Sequence, residues 1–425
     1  MLKLLCMSKA IKQIYVAIEL CENEIRILAA EYFNTRFNII RCDRYETKAI
    51  SDFKITDRAQ IIKDLKQAFA QSSNKIGSDI EQAILVVPAY NFKRFPLKSK
   101  IVPENDVISR KDVARAISNS LKATVDQDVM IVDPAITKYE INGITTRRLP
   151  DKETAEEMVV DIDLLCADMK MCYEYVSVIE ESGIKILDIV LNNYAIAKEA
   201  ALFEESLSKN IIILDVNRSC TYLSLLSKGR LASTEIIFDG LNSIINNVYR
   251  TYYMPYADIG RLVKYTADLN TRYPEDAVYA WTDQNSTKVL TCKQLNDAVE
   301  RPLNAFCDKL VTMCDPIIKT GAKIVLTGEG QQMKSLKERL YTLCNCEISD
   351  YFPDTIGIRD ASMTALYGAF IVYREKALMN DLSVSCIDLL KYDELIDQKN
   401  FDSEGDTITT KIKNLFKHYI ERGGI

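Results

Sequence analysis

Two acidic residues stand at matching places, each at the end of an apolar run that reads as a strand: Glu19 directly after Ile14 to Ile18, and Asp215 in Ile211 to Val216. Carboxylates so placed on either side of a cleft could hold the water shell of a magnesium ion on a nucleotide. The turns behind them are poorly suited to phosphate. Glu22 and Asn23 follow Glu19, and Asn217, Arg218 and Ser219 follow Asp215. A phosphate cradle needs glycines there to bare its N–H groups. Glu22 at ~4 Å from a phosphate oxygen would cost about 4 kcal/mol at an effective dielectric of 20, roughly a thousandfold in affinity. Arg218 offsets part of this if it points inward. A third segment, Thr327-Gly328-Glu329-Gly330, follows the apolar run Lys323 to Leu326 and precedes a helix expected from Met333. Its glycines suit close approach to a base or ribose, and equally the packing of any strand-to-helix turn.

Other chemistries are excluded by composition. The only histidine is His418, which removes Cys/His zinc sites, histidine triads and most general-base schemes. Twelve cysteines include no CxxC, the nearest pair being Cys344 and Cys346, so they read as reduced, mostly buried thiols. Fifty-four basic against 60 acidic residues leave a net charge of -6 and no global field to hold nucleic acid. No stretch has the ~18 apolar residues of a membrane span.

The elements that must position these groups form a repeat. Ile14 to Ile18, Glu24 to Ala30 and Phe37 to Arg41 read as a strand meander, followed by a helix Ala59 to Phe69 and a buried strand Gln82 to Pro88. Ile211 to Val216, Tyr222 to Leu226 and Ala232 to Ile237 start the same pattern again. Two such halves predict a duplicated α/β body whose first turns face one cleft. Between them, a unit opening on the capping signature Ser109 to Asp112 reads as an α+β insert. Its strands are expected at Asp128 to Val132, Thr137 to Ile141 and Met158 to Leu164, and a helix Tyr194 to Leu207 follows it. The segment Asp258 to Lys319 reads as helical and polar around Thr291 to Met313.

At the C-terminal end, Asp393 to Asp406 holds six acids against Lys399, an extended, self-repelling linker. Beyond it, Ile408, Ile412, Leu415, Phe416, Tyr419 and Ile420 share one helical face, with Lys413 and Lys417 on the other. That pattern fits an amphipathic helix lying in the headgroups of an anionic leaflet.

These segments resemble the actin-like bacterial cell-division family FtsA over nearly the whole chain. Ile213 to Val216 with Leu223 to Leu231 is similar to its second phosphate segment, and Lys323 to Gln332 to its adenosine segment. Pro255 to Lys264 is similar to a proline-led helix, and Asp354 to Tyr373 to its closing helix. The insert falls where that family carries its extra subdomain. The resemblance implies an α/β, actin-like, duplicated two-lobed fold with an inserted subdomain and a C-terminal amphipathic helix. Residues 12–107 and 181–209 would form the first lobe, 108–180 the insert, and 210–257 with 320–376 the second lobe. Residues 258–319 would be an FtsZ-docking subdomain, 377–407 an acidic linker and 408–425 the membrane-targeting helix.

The resemblance further implies tethering of FtsZ filaments to the cytoplasmic face of the plasma membrane at the division site. The implied contacts are the FtsZ C-terminal peptide on Arg261, Lys264 and Arg301, further copies of the chain in filaments, the anionic inner membrane surface, and no nucleic acid. Ile412, Leu415, Phe416, Tyr419, Ile420, Lys413 and Lys417 would bind the membrane. Glu19, Asp215, Arg218, Lys264, Gly328, Glu329 and Gly330 would surround ATP with Mg2+, or no ligand at all, because the first phosphate segment lacks the family's aspartate and glycine and the second its three glycines. At most a weak ATPase is expected. The other readings are an actin-like adaptor of a pilus or secretion apparatus, which would not need a lipid-binding helix, and an active ATPase, which would need glycine-rich phosphate loops.

Overall fold

Apolar runs of β-branched residues near the start of the chain zip into a five-stranded sheet. In the computed structural model, which describes residues 13–379 apart from 34, 35, 284, 285, 354, 356 and 359, its order is Lys185–Leu191, Gln82–Val87, Gln13–Cys21, Glu24–Phe33 and Arg36–Glu46. The last three form an antiparallel meander, and the first two run parallel to Gln13–Cys21. Gln82–Val87 is central and almost wholly buried, which is why it reads as a continuous apolar run. The crossover into it is the helix Arg58–Ile76. Asp57 caps this helix by accepting from the Gln60 N–H at 2.9 Å, and Gly77 ends it in the left-handed conformation.

A second sheet repeats the plan: Arg230–Ile237, Thr221–Ser227, Ile211–Val216, Lys323–Thr327 and Ile348–Asp350, with the same pairing directions. Its crossover is longer. It contains helices Leu241–Tyr252, Tyr256–Tyr265 and Cys292–Ile318, and a hairpin Ala277–Asp283/Ser286–Thr291 that the sequence pattern does not announce. Leu241, Ile245, Val248, Leu303, Phe306 and Leu310 join the sheet residues Ile212 and Leu214 in the core of this half.

Between the halves lies a four-stranded sheet of order Lys93–Ile101, Met158–Asp168, Val129–Ile141, Ile144–Thr146, covered by helix Arg110–Ser120. The expected capping box is present, with Asp112 accepting from the Ser109 N–H at 2.8 Å. This sheet opens ahead of Ile108, because Lys93–Ile101 pairs with Met158–Asp168. Two short strands expected around Pro134 are one strand. Pro134 pairs with Leu164 on one side, and on the other the short strand Ile144–Thr146 reaches only Tyr139 to Ile141. The missing proline N–H therefore breaks no ladder there. The expected helix Tyr194 to Leu207 is two, Asn192–Glu199 and Leu202–Glu205, parted at Ala201 with φ 52°.

The helix Thr364–Met379 crosses Asn192–Glu199 closely enough that a Cβ on Gly368 would sit 2.1 Å from the Ala195 carbonyl oxygen. In its last turn the Lys376 ammonium reaches Asp133 at 2.7 Å, Asp188 at 3.0 Å and the Ile189 carbonyl at 3.3 Å. With no Gly or Pro to stop it, the helix runs past the boundary expected at residue 377. The rest of the linker and the segment 408–425 lie outside the described residues. Among the described residues no helix is long and apolar enough to cross a membrane.

Candidate functional site

Register brings the first half's charges together. Glu19 pairs with Arg26, and Arg26 with Arg44, so one row across three strands carries Glu19, Arg26 and Arg44 on one face. The matching row of the second half is Asp215, Tyr222 and Ile236. Glu19 and Asp215 are thus equivalents, and both line or flank a cleft between the halves whose free cavity is only about 50 Å³. Its walls include Glu22, Glu24, Arg26, Phe53, Asn217, Arg218, Phe238 and Glu329.

The side chains in this cleft are paired with one another. Arg26, 4% exposed, donates to Glu19 at 3.2 Å, to Glu24, to the Ser362 carbonyl at 3.2 Å and to the Asn217 side-chain oxygen at 3.4 Å. Glu329 is 0% exposed and is surrounded by four cations. Lys264 lies at 3.0 Å, Arg218 at 3.2 Å, Arg44 at 3.4 Å and Arg26 at 3.5 Å. Arg44 also meets Glu24 at 3.1 Å, Asp360 and the Ser362 hydroxyl. Burial alone would raise the Glu329 pKa, yet the surrounding guanidinium and ammonium groups hold it far below the usual carboxylate range. Asp215 goes the other way. Burial first, then the charge of Glu19 beside it, pushes it up to about 7 against the opposing pull of Arg26. Burial likewise raises Glu19.

The glycines of the third segment have a packing explanation. A Cβ on Gly328 (φ 75°) would fall 2.3 Å from the Asp215 carboxylate and 2.6 Å from the Val216 carbonyl, and one on Gly330 would fall 2.6 Å from the Val216 side chain. Both let the turn close onto the strand Ile211–Val216. The turn after Asp215 is committed too: the Asn217 N–H donates to the Cys220 carbonyl at 3.0 Å. The Asn217 and Arg218 carbonyls accept from the first N–H groups of helix Leu241–Tyr252 at 3.1 and 2.7 Å.

Of the residues expected around a nucleotide, Glu19, Asp215, Arg218, Lys264 and Glu329 do converge, while Gly328 and Gly330 shape the turn beside them. Lys264 is corrected as a partner for an acidic peptide. Its ammonium is buried against Glu329, because the apolar face of helix Tyr256–Tyr265 carries it inward with Ile259, Leu262 and Val263. Arg261 stays exposed, paired with Asp258 at 2.7 Å, and Arg301 is exposed on helix Cys292–Ile318. The sequence reading missed Arg26, Arg44 and Glu24. Their signal was a pair of arginines in the opening meander that fall in the same register row as Glu19. Among the described residues no group of three or more His, Cys, Asp or Glu could hold a metal ion.

No family model matches the chain. Four curated relatives do, each named cell division protein FtsA. The protein from Bacillus subtilis (strain 168) is 22% identical over 361 residues, 82% of this chain and 80% of its own length. Among solved structures, the PilM-PilN type IV pilus biogenesis complex superposes with a TM-score of 0.55 at 12% identity, over 84% of this chain and 98% of that one. MreB5 of Spiroplasma citri bound to ADP does so at 0.52 and 11% identity, over 87% and 99%. The fold is therefore actin-like. Because a neighbour of this fold holds nucleotide, ATP with Mg2+ is the ligand to test against the cleft. The fit is poor: Glu329 is already saturated by cations, Arg26 already faces Glu19, the second turn has its N–H engaged, and Glu22 adds a negative wall.

Proposed function

We propose that this FtsA-like chain is a cell-division protein that tethers FtsZ filaments to the inner face of the plasma membrane at the division site. The observation that carries the reading is the likeness to four FtsA proteins, which for the Bacillus subtilis relative extends over most of both chains. The sequence beyond the described residues supports it: an acidic spacer to residue 407, then the face Ile412, Leu415, Phe416, Tyr419 and Ile420 opposite Lys413 and Lys417. In this reading residues 258–319 dock the FtsZ C-terminal peptide through Arg261 and Arg301. The insert 108–180 contacts a second copy of the chain in a filament, and the two lobes 12–107/181–209 and 210–257/320–376 form the scaffold. The work is adhesion and assembly.

Sedimentation with anionic vesicles tests it. Burying Phe416 contributes about 1.5–3 kcal/mol and each lysine about 1 kcal/mol, so Phe416→Glu should weaken vesicle binding by roughly tenfold or more. Asn414→Glu, on the polar face, should weaken it only slightly, and a chain ending at Asp406 should stay folded and in the supernatant. FtsZ should pellet with the vesicles only when the full chain is present. Unchanged sedimentation of the truncated chain would remove the membrane tether. Vesicle binding without recruitment of FtsZ would keep the membrane anchor and overturn FtsZ as its partner.

A further inference from the structure

The cleft that faces both acidic turns is filled by side chains from both halves. Arg26 and Arg44 come from the first sheet, Arg218 and Lys264 from the second half, and all four converge on a carboxylate that no water reaches. We propose that Glu329 is a ligand supplied by the chain itself: its carboxylate fills the anion position of the cleft and Arg26 the cation position, so the lobes close on side chains instead of on a metal–nucleotide. Four observations carry this.

Glu329 belongs to the second half by sequence, at the first position of the single turn Glu329–Gln332, yet two of its four cations are contributed by the first. Arg26 bridges the halves in its own right, meeting Glu19 on one side and the Asn217 side chain on the other. The mouth is occupied as well. The hairpin Ile50–Ile55 turns through Asp52 and Phe53, both at positive φ, and sets the Phe53 ring 5.3 Å from Tyr90, 6.3 Å from Tyr222 and 5.9 Å from Phe238. A bulky residue at positive φ is uncommon and is held here by aromatic contacts that span the cleft. A second latch, away from the cleft, ties the insert to the second half: Arg147 donates to the Lys228 carbonyl at 2.9 Å, and Arg230 meets Asp163 at 3.1 Å.

The closed arrangement therefore requires no nucleotide, and removing the Glu329 charge should turn the cleft into a binding site for polyphosphate. The full chain, Glu329→Gln and the double variant Glu329→Gln/Arg218→Gln are to be melted with and without millimolar inorganic pyrophosphate or Mg–ATP. The unaltered chain should show no shift with either. Glu329→Gln should melt lower and then recover by at least about 3 °C with pyrophosphate, and the added Arg218→Gln should abolish the recovery. Nucleotide extraction from the purified chain decides the matter even if Glu329→Gln fails to fold. Substoichiometric adenine nucleotide supports the internal ligand, and one nucleotide per chain overturns it. A shift of the unaltered chain with Mg–ATP, or a folded Glu329→Gln that gains nothing from pyrophosphate, also overturns it. None of these outcomes bears on the vesicle assay, so failure here leaves the tether reading standing.

Discussion

Replacing Arg26 with methionine should destabilise the body by about 3–5 kcal/mol and lower the melting midpoint by about 4–6 °C. The guanidinium is buried and serves Glu19, Glu24 and Glu329 at once. Without it those carboxylates keep their desolvation cost and lose their nearest shared cation. That asymmetry sets the size of the effect, because an intact buried ion network adds little net stability whereas a broken one costs heavily. Arg26→Lys should fall between, since an ammonium keeps the charge but cannot present the planar fork that reaches five partners. Arg41→Met is the control. Its side chain is 44% exposed and pairs with Asp43 at 2.9 Å, and exposed pairs contribute about 0–1 kcal/mol. Adding Glu19→Gln to Arg26→Met should restore part of the loss, because Arg26 is the cation that faces Glu19, whereas Glu329 keeps Lys264, Arg218 and Arg44. A midpoint for Arg26→Met within roughly 2 °C of the unaltered chain would show that the cleft network does not hold the lobes.

Stability should also fall as pH rises from about 4 to about 7, and Asp215→Asn should flatten that fall. The Asp215 carboxyl is held at about 7, against 3.8 for an ordinary aspartate, by burial and by Glu19. The folded chain thus binds a proton that the unfolded chain has released. This contribution is complete below pH ~4 and is lost as pH passes through ~7. At pH 8 the asparagine variant should be more stable by about 2–4 kcal/mol. Glu199, raised to about 7 by burial although the Tyr351 hydroxyl donates to it, adds a slope of the same sign, which the variant keeps. Urea titrations at pH 5, 6.5 and 8 check this, and parallel slopes for the two chains would refute it.

The duplication was legible because hairpin spacing survives in sequence. An acid near a strand end, a short turn and two more strands mark both Glu19 and Asp215, and the pairing confirms their equivalence. The cleft's contents were not legible. Arg26 and Arg44 sit in strands where alternation assigns charged residues to solvent, and only the meeting of two sheets far apart in sequence turns that face inward. Lys264 misled for the same reason: a lysine on a helix reads as surface until Glu329 appears beneath it. The hairpin Ala277–Thr291 was missed because its second strand is largely exposed and its polar alternation carries no apolar period to read.

The closing helix also sets a path for force. A pull on the chain beyond Met379 enters the last turn of Thr364–Met379, where Lys376 grips Asp133 of one strand and Asp188 of another. About two helical turns earlier in the same helix, Gly368 lies hard against Ala195. Traction is therefore shared between the strand Val129–Ile141, the strand Lys185–Leu191 and a helix crossing. Its load is spread over three elements before any single strand must shear.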